Sequence, residues 1–162
     1  MSFAHLHLIL NHIPLVGIPI ALLFYVRGLN IKNNSMKRFS SFVLFALAAF
    51  VIPVFLSGDY AEDQVEMLPG VLEAAIELHD EAAEASLILC VLAGIAAFLD
   101  LWFQRNLRFK KWTSTLLILL SSIAIASLGY TASLGGKIRR PELRQDLPPP
   151  NTEWRKYEDS ND

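Results

Sequence analysis

Four histidines are the residues in this chain whose type and spacing could carry chemistry. His5, His7 and His12 fall in the opening stretch FAHLHLILNHIPLVGIPIALLFYV, and His79 falls in IELHDEAAEAS. Imidazole is the commonest nitrogen ligand and suits iron, copper and zinc. Two imidazoles from facing helices also provide the axial ligands of a b-type haem. On a helix His5 and His12 share one face, two turns apart, while His7 and Asn11 share a neighbouring face. His12 then lies about 10 Å below His5, at about 1.5 Å per residue. His5 or His7 therefore matches His79 in height better than His12 does. Glu62, Glu66 and Asp80 are nearby oxygen donors for a bare metal ion. The haem candidates are thus His5, His7, His12 and His79, and a metal site would add the three carboxylates. No tight ligand spacing of the HExxH kind is present. A plainer alternative places His5 and His7 at a membrane interface and has His12 bonding a neighbouring helix.

What must position these groups is a set of apolar helices. The opening stretch, 3–26, contains no Lys, Arg, Asp or Glu. As a helix it is about 36 Å long, enough to match a bilayer core of about 30 Å. Similar runs follow at 39–57, 82–103 and 113–133. The chain has 162 residues, 53% hydrophobic and 19% charged, below the ~25% charge of a soluble domain. Only helices satisfy their own backbone groups in lipid without closing a barrel. The fold expected is therefore all-α: a four-helix transmembrane bundle, up-and-down because two of its connections are short. The membrane domain is 1–140. An acidic helical loop, 58–81, joins spans two and three, and a polar tail, 141–162, carries Pro148, Pro149 and Pro150. No Lys or Arg precedes the first apolar run, so it does not read as a signal peptide.

Charge orients the bundle. Arg27, Lys32, Lys37 and Arg38 follow span one, and Arg105, Arg108, Lys110 and Lys111 follow span three. The middle connection has none, but holds Asp59, Glu62, Asp63, Glu66, Glu73, Glu77, Asp80, Glu81 and Glu84. The positive-inside rule puts the basic connections in the cytoplasm and both termini in the periplasm. Trp102 and Trp112 suit the interfacial belt on the basic side. Lys137, Arg139, Arg140 and Arg144 run against this pattern and offer partners to the acidic loop. Glu77, Asp80, Glu81 and Glu84 form one helical stripe, so His79 is expected to face the bundle with Leu72, Ala75, Ala83 and Ser86.

Other cues concern packing. Cys90, Gly94 and Ala97 in span three, and Ser121, Ser122, Ala126, Gly129, Ser133 and Gly136 in span four, predict close approach of those two helices. Pro14, Pro19 and Pro53 interrupt the helical ladder, Pro14 freeing the carbonyl of Leu10. Asp100, the only acid within a span, is expected to play a structural part near Arg105. Several chemistries are poorly served. A lone Cys90 permits neither an internal disulfide nor a Cys-rich metal site. Gly135-Gly136 lacks the context of a phosphate loop, and no Ser nucleophile with a base is indicated. The basic connections are too short to suggest nucleic-acid binding.

HLHLILNHIPLVG, SGDYAEDQVEMLPGV, IELHDEAAEAS and SLGGKIRRPEL together resemble a group of small, uncharacterised bacterial membrane proteins with four spans. The resemblance covers all but the tail and implies a bacterial inner-membrane location, without an activity. Beyond a weak likeness between the two helix pairs, no internal repeat is visible. The function these residues suggest is a redox module holding haem b or a transition metal. It would exchange electrons with quinol or a periplasmic carrier, as an electron-transfer protein rather than a hydrolase or transferase. The alternative is a non-catalytic accessory or scaffold subunit that contacts other membrane subunits. A third is a proton or solute path lined by His12 and freed carbonyls.

Overall fold

A computed structural model describes residues 3–66, 68, 71–104, 106–138, 140 and 143. Five helices occur among them: α1 Phe3–Leu10, α2 His12–Asn30, α3 Asn34–Glu66, α4 Glu73–Phe103 and α5 Leu107–Ile138. Four segments are long and apolar enough to cross a membrane: Phe3–Asn30, Asn34–Glu62, Glu73–Phe103 and Phe109–Ile138. They form an up-and-down bundle. α2 packs on α3, α3 on α4, α4 on α5, and α5 closes the ring against α2, the α4–α5 interface being the most extensive.

The helices run past the expected span limits. α3 continues past Ser57 to Glu66, and α4 begins at Glu73 rather than near residue 82. A helix as long as α3 reaches about 50 Å, well beyond a hydrocarbon core of about 30 Å. Most of the acidic connection, expected to be helical, is made by the ends of α3 and α4. Hydrophobicity marks where a helix leaves lipid, not where it ends. The turn expected at Pro69-Gly70 and the tail from 141 onward lie outside the described residues, Leu143 excepted.

α1 and α2 form one span, Phe3–Asn30, whose helical path runs on through Asn11: its φ is −65° and ψ −25°, its N–H donates to His7 O at 2.9 Å, and Leu15 N–H donates to Asn11 O at 3.3 Å. Pro14 removes one rung here: its ring crowds the carbonyl of Leu10, four residues back, and it donates no hydrogen bond. Helix α1 packs on α3 and α2, but makes no close backbone approach to α5 among the described residues, whereas α2 does. The bundle is therefore open between α1 and α5 at its acidic end.

The opposite, basic end is tightly closed. Lys32 adopts φ 54°, with Lys32 N–H donating to Leu29 O at 3.2 Å and Asn33 N–H to Gly28 O at 2.9 Å. This left-handed cap satisfies the last carbonyls of α2. Asn33 Oδ1 then accepts from Met36 N–H at 3.0 Å and starts α3.

The core holds Ile18, Tyr25, Leu44, Val51, Cys90, Ala93, Ala97, Leu117 and Ala124. Large apolar side chains such as Leu23, Phe39, Trp102 and Trp112 face outward, as lipid-facing surfaces require. The α4–α5 packing is as expected, but of the α5 residues expected to make it only Ser121 is buried. Leu117, Ser121, Ala124 and Thr131 are buried, while Ser122, Ala126 and Ser133 are exposed. A Cβ at Gly129 or Gly136 would meet nothing within 4 Å. On α4, Gly94 serves α3: a Cβ there would lie 2.8 Å from Ala48 Cβ.

Candidate functional site

Where α1 leans away from α5, a cavity of about 470 Å³ opens at the acidic end. Its walls come from α1 (Ala4, His5, His7, Leu8), α3 (Phe55, Gly58, Ala61, Glu62, Gln64, Val65), α4 (Ile76, His79, Asp80, Ala83) and α5 (Gly135, Ile138), with Leu68. The volume falls in the range of ligand pockets, and the mix of apolar walls with few polar groups is typical of them. Three of the four histidines line it. Below it lies a chamber of about 80 Å³, to which His7 and His79 also contribute, with Asn11, Pro14, Ser86 and Thr131.

The two shared histidines are held in the same manner. His7 Nδ1 lies 3.1 Å from Val54 O and 3.0 Å from Ser57 Oγ. His79 Nδ1 lies 3.0 Å from Thr131 O. A carbonyl can only accept, so each Nδ1 carries the proton. Ser57 donates its own hydroxyl to Val54 O at 2.6 Å, which leaves its oxygen free to accept from His7. In the neutral imidazole Nε2 is then the unprotonated nitrogen, with its lone pair available. Carbonyl bonds of this kind orient metal-ligating histidines.

The other candidates are placed differently. His5 is exposed and lines the cavity mouth. His12 is exposed, and its Nδ1 bonds Leu8 O of its own helical turn at 2.6 Å. It contributes to neither cavity. Glu62 and Asp80 lie on the rim, while Glu66 is exposed outside it. Among the described residues no group of three or more His, Cys, Asp or Glu is placed to hold a metal ion. The histidines and carboxylates considered for a bare metal are thus not gathered at one point. His79 does face inward, and Glu77, Asp80, Glu81 and Glu84 are exposed, as the helical stripe predicts. Asn11 Oδ1 is buried with no protein partner among the described residues.

A second polar centre, at the basic end, was not legible from spacing. Asp100 is fully buried and accepts four hydrogen bonds: from Tyr25 OH and Ser41 Oγ at 2.9 Å each, and from Thr113 Oγ1 and Ser114 Oγ at 3.2 Å each. Lys37, also buried, donates to Ser114 Oγ at 3.3 Å and sits 5.2 Å from the centroid of the Tyr25 ring. Lys37 therefore belongs to the bundle interior rather than to a cytoplasmic loop. Each span supplies at least one member. The partner expected for Asp100, Arg105, lies outside the described residues. The available signal was Asp100 itself, since a carboxyl within a span needs donors nearby. Which hydroxyls would supply them depended on helix rotation.

Comparison with known proteins supplies no relative from which to borrow a role. No family model, no curated protein and no solved structure matches the chain.

Proposed function

We propose that the chain is a membrane electron-transfer module whose cavity holds a b-type haem, with Nε2 of His7 and of His79 as the two axial ligands. One observation carries this reading: two imidazoles from different helix pairs line one cavity, each with its Nδ1 proton committed to a carbonyl. The donor count favours haem over a bare ion. Two imidazoles complete the axial positions of a macrocycle that brings its own four nitrogens. A zinc or iron ion would need further protein donors, and no group of three is placed for that among the described residues.

When bound, haem supplies one-electron chemistry. The residues of this chain do the rest. His7 and His79 fix its orientation, Phe55, Val65, Ile76 and Ile138 exclude water, and Glu62 and Asp80 place negative charge at the mouth. The resemblance to small bacterial four-span proteins supports an inner-membrane location. Arg27, Lys32, Arg38, Lys110 and Lys111 at the basic end support a periplasmic cavity under the positive-inside rule. Such a site would take electrons from quinol in the bilayer or exchange them with a periplasmic carrier.

Haemin titration of the detergent-purified protein tests the proposal. Saturation at one haem per chain with a six-coordinate, low-spin spectrum is expected, and loss of that spectrum in His7→Ala and in His79→Ala. Unsaturable binding, or binding indifferent to both substitutions, would refute it.

A further inference from the structure

Among the described glycines, two meet an imidazole: Gly58 and Gly135. A Cβ at Gly58 would lie 3.2 Å from Cε1, 3.5 Å from Nδ1 and 3.9 Å from Nε2 of His7. A Cβ at Gly135 would lie 3.0, 3.3 and 3.8 Å from the same three atoms of His79. The order of atoms is the same, so each ring has its Cε1 nearest its glycine, with Nδ1 next. The hydrogen bonds repeat as well. Val54, the acceptor for His7, is one helical turn before Gly58, and Thr131, the acceptor for His79, is one turn before Gly135. In each hairpin a histidine on the first helix rests on a carbonyl-and-glycine seat on the second.

We infer that the bundle consists of two equivalent half-sites, His7 on Val54 and Gly58 and His79 on Thr131 and Gly135, and that the two glycines are positioning residues that set the imidazole planes. The weak likeness between helix pairs in the sequence is this shared device. Two matched imidazoles suit a planar ligand with two equivalent, opposed ligation positions. Haem held by both imidazoles would supply one-electron chemistry, so electron transfer is the chemistry that fits. This last step rests on the haem reading; the positioning role does not.

The seats give a specific mutational signature. Real Cβ atoms rarely make contacts of 3.0 or 3.2 Å, so Ala at either position must displace the ring by a few tenths of an ångström or break its Nδ1–H bond. In His7→Ala the three nearest atoms that a Cβ at residue 58 would meet are gone, and likewise for His79→Ala and residue 135.

Nitrogen-15 NMR of histidine-labelled, haem-free protein in detergent is the direct test. Both His7 and His79 should show the Nδ1–H tautomer. Gly58→Ala should shift only the His7 signals and Gly135→Ala only those of His79. A thermal-stability cycle covers the case in which an Ala variant folds poorly: the loss from Gly58→Ala should vanish in a His7→Ala background, and that from Gly135→Ala in a His79→Ala background. With haem added, each glycine variant should bind about 10–100-fold more weakly, as for other groups that orient metal ligands. Unchanged imidazole signals in both variants, or an Ala cost that persists without the histidine, would overturn the inference. If the wild type takes up no haem while the NMR and stability results hold, the haem reading falls and the two seats stand.

Discussion

The hydroxyl of Tyr25 donates to Asp100 Oδ1 at 2.9 Å and so joins α2 to α4 across the diagonal of the bundle. Those two helices make no close backbone approach among the described residues, so side chains alone tie them. Removing the carboxyl strands four donors and leaves Lys37 buried beside them. Asp100→Ala should cost about 3–5 kcal/mol, the range for breaking a buried charged pair. A combined Asp100→Leu, Lys37→Met substitution should cost less than Asp100→Leu alone, because no unmatched charge remains. Thermal melts in one detergent check both.

Gly94 and Gly129 make a matched comparison. Ala at 94 would press a Cβ to 2.8 Å from Ala48 Cβ and force α3 from α4. Gly94→Ala should lower stability by about 1–3 kcal/mol through overpacking. Gly129→Ala, which meets nothing, should be neutral or gain up to about 1 kcal/mol from its better helix propensity. The same melts decide it.

How far this was legible depends on which property each residue expresses. Apolar length is a property of a stretch, so four spans, their antiparallel order and the inward side of His79 were readable. Which face of the first span turns toward a cavity is not. His5 and His12 are both exposed, whereas His7, Asn11 and Pro14 of the same helical run line the inner chamber. The α5 contact face failed for a related reason: small residues occur all around that helix, and only packing distinguishes Ser121, which is buried, from Ser122, which is not. Gly58 and Gly135 carried no signal of their own, because a glycine's role as a ring seat depends on which helix lies opposite.

His12 offers an internal control for the candidate site. It is exposed and bonds its own helical turn. His12→Ala should leave haem affinity within about twofold of the wild type, whereas loss of an axial imidazole at His7 should abolish the six-coordinate spectrum. Parallel haemin titrations distinguish them.

The carboxylates at the mouth should tune the potential. Ferric haem carries one more positive charge than ferrous haem, so Glu62 and Asp80 stabilise the oxidised form. Glu62→Gln and Asp80→Asn should each raise the midpoint potential by about 10–30 mV. Both side chains are exposed, so the effect should shrink as ionic strength rises. Spectroelectrochemical titration at low and high salt measures this.

The most direct measurement is the absorption spectrum of the protein purified from native membranes in mild detergent, with haem quantified per chain. A Soret band sharpening on reduction into split α and β bands, at one haem per chain, and absent from His79→Ala of equal stability, is the predicted result. A well-folded wild-type chain isolated without haem, and unable to take it up when supplied, would contradict the assignment of His7 and His79 as its ligands.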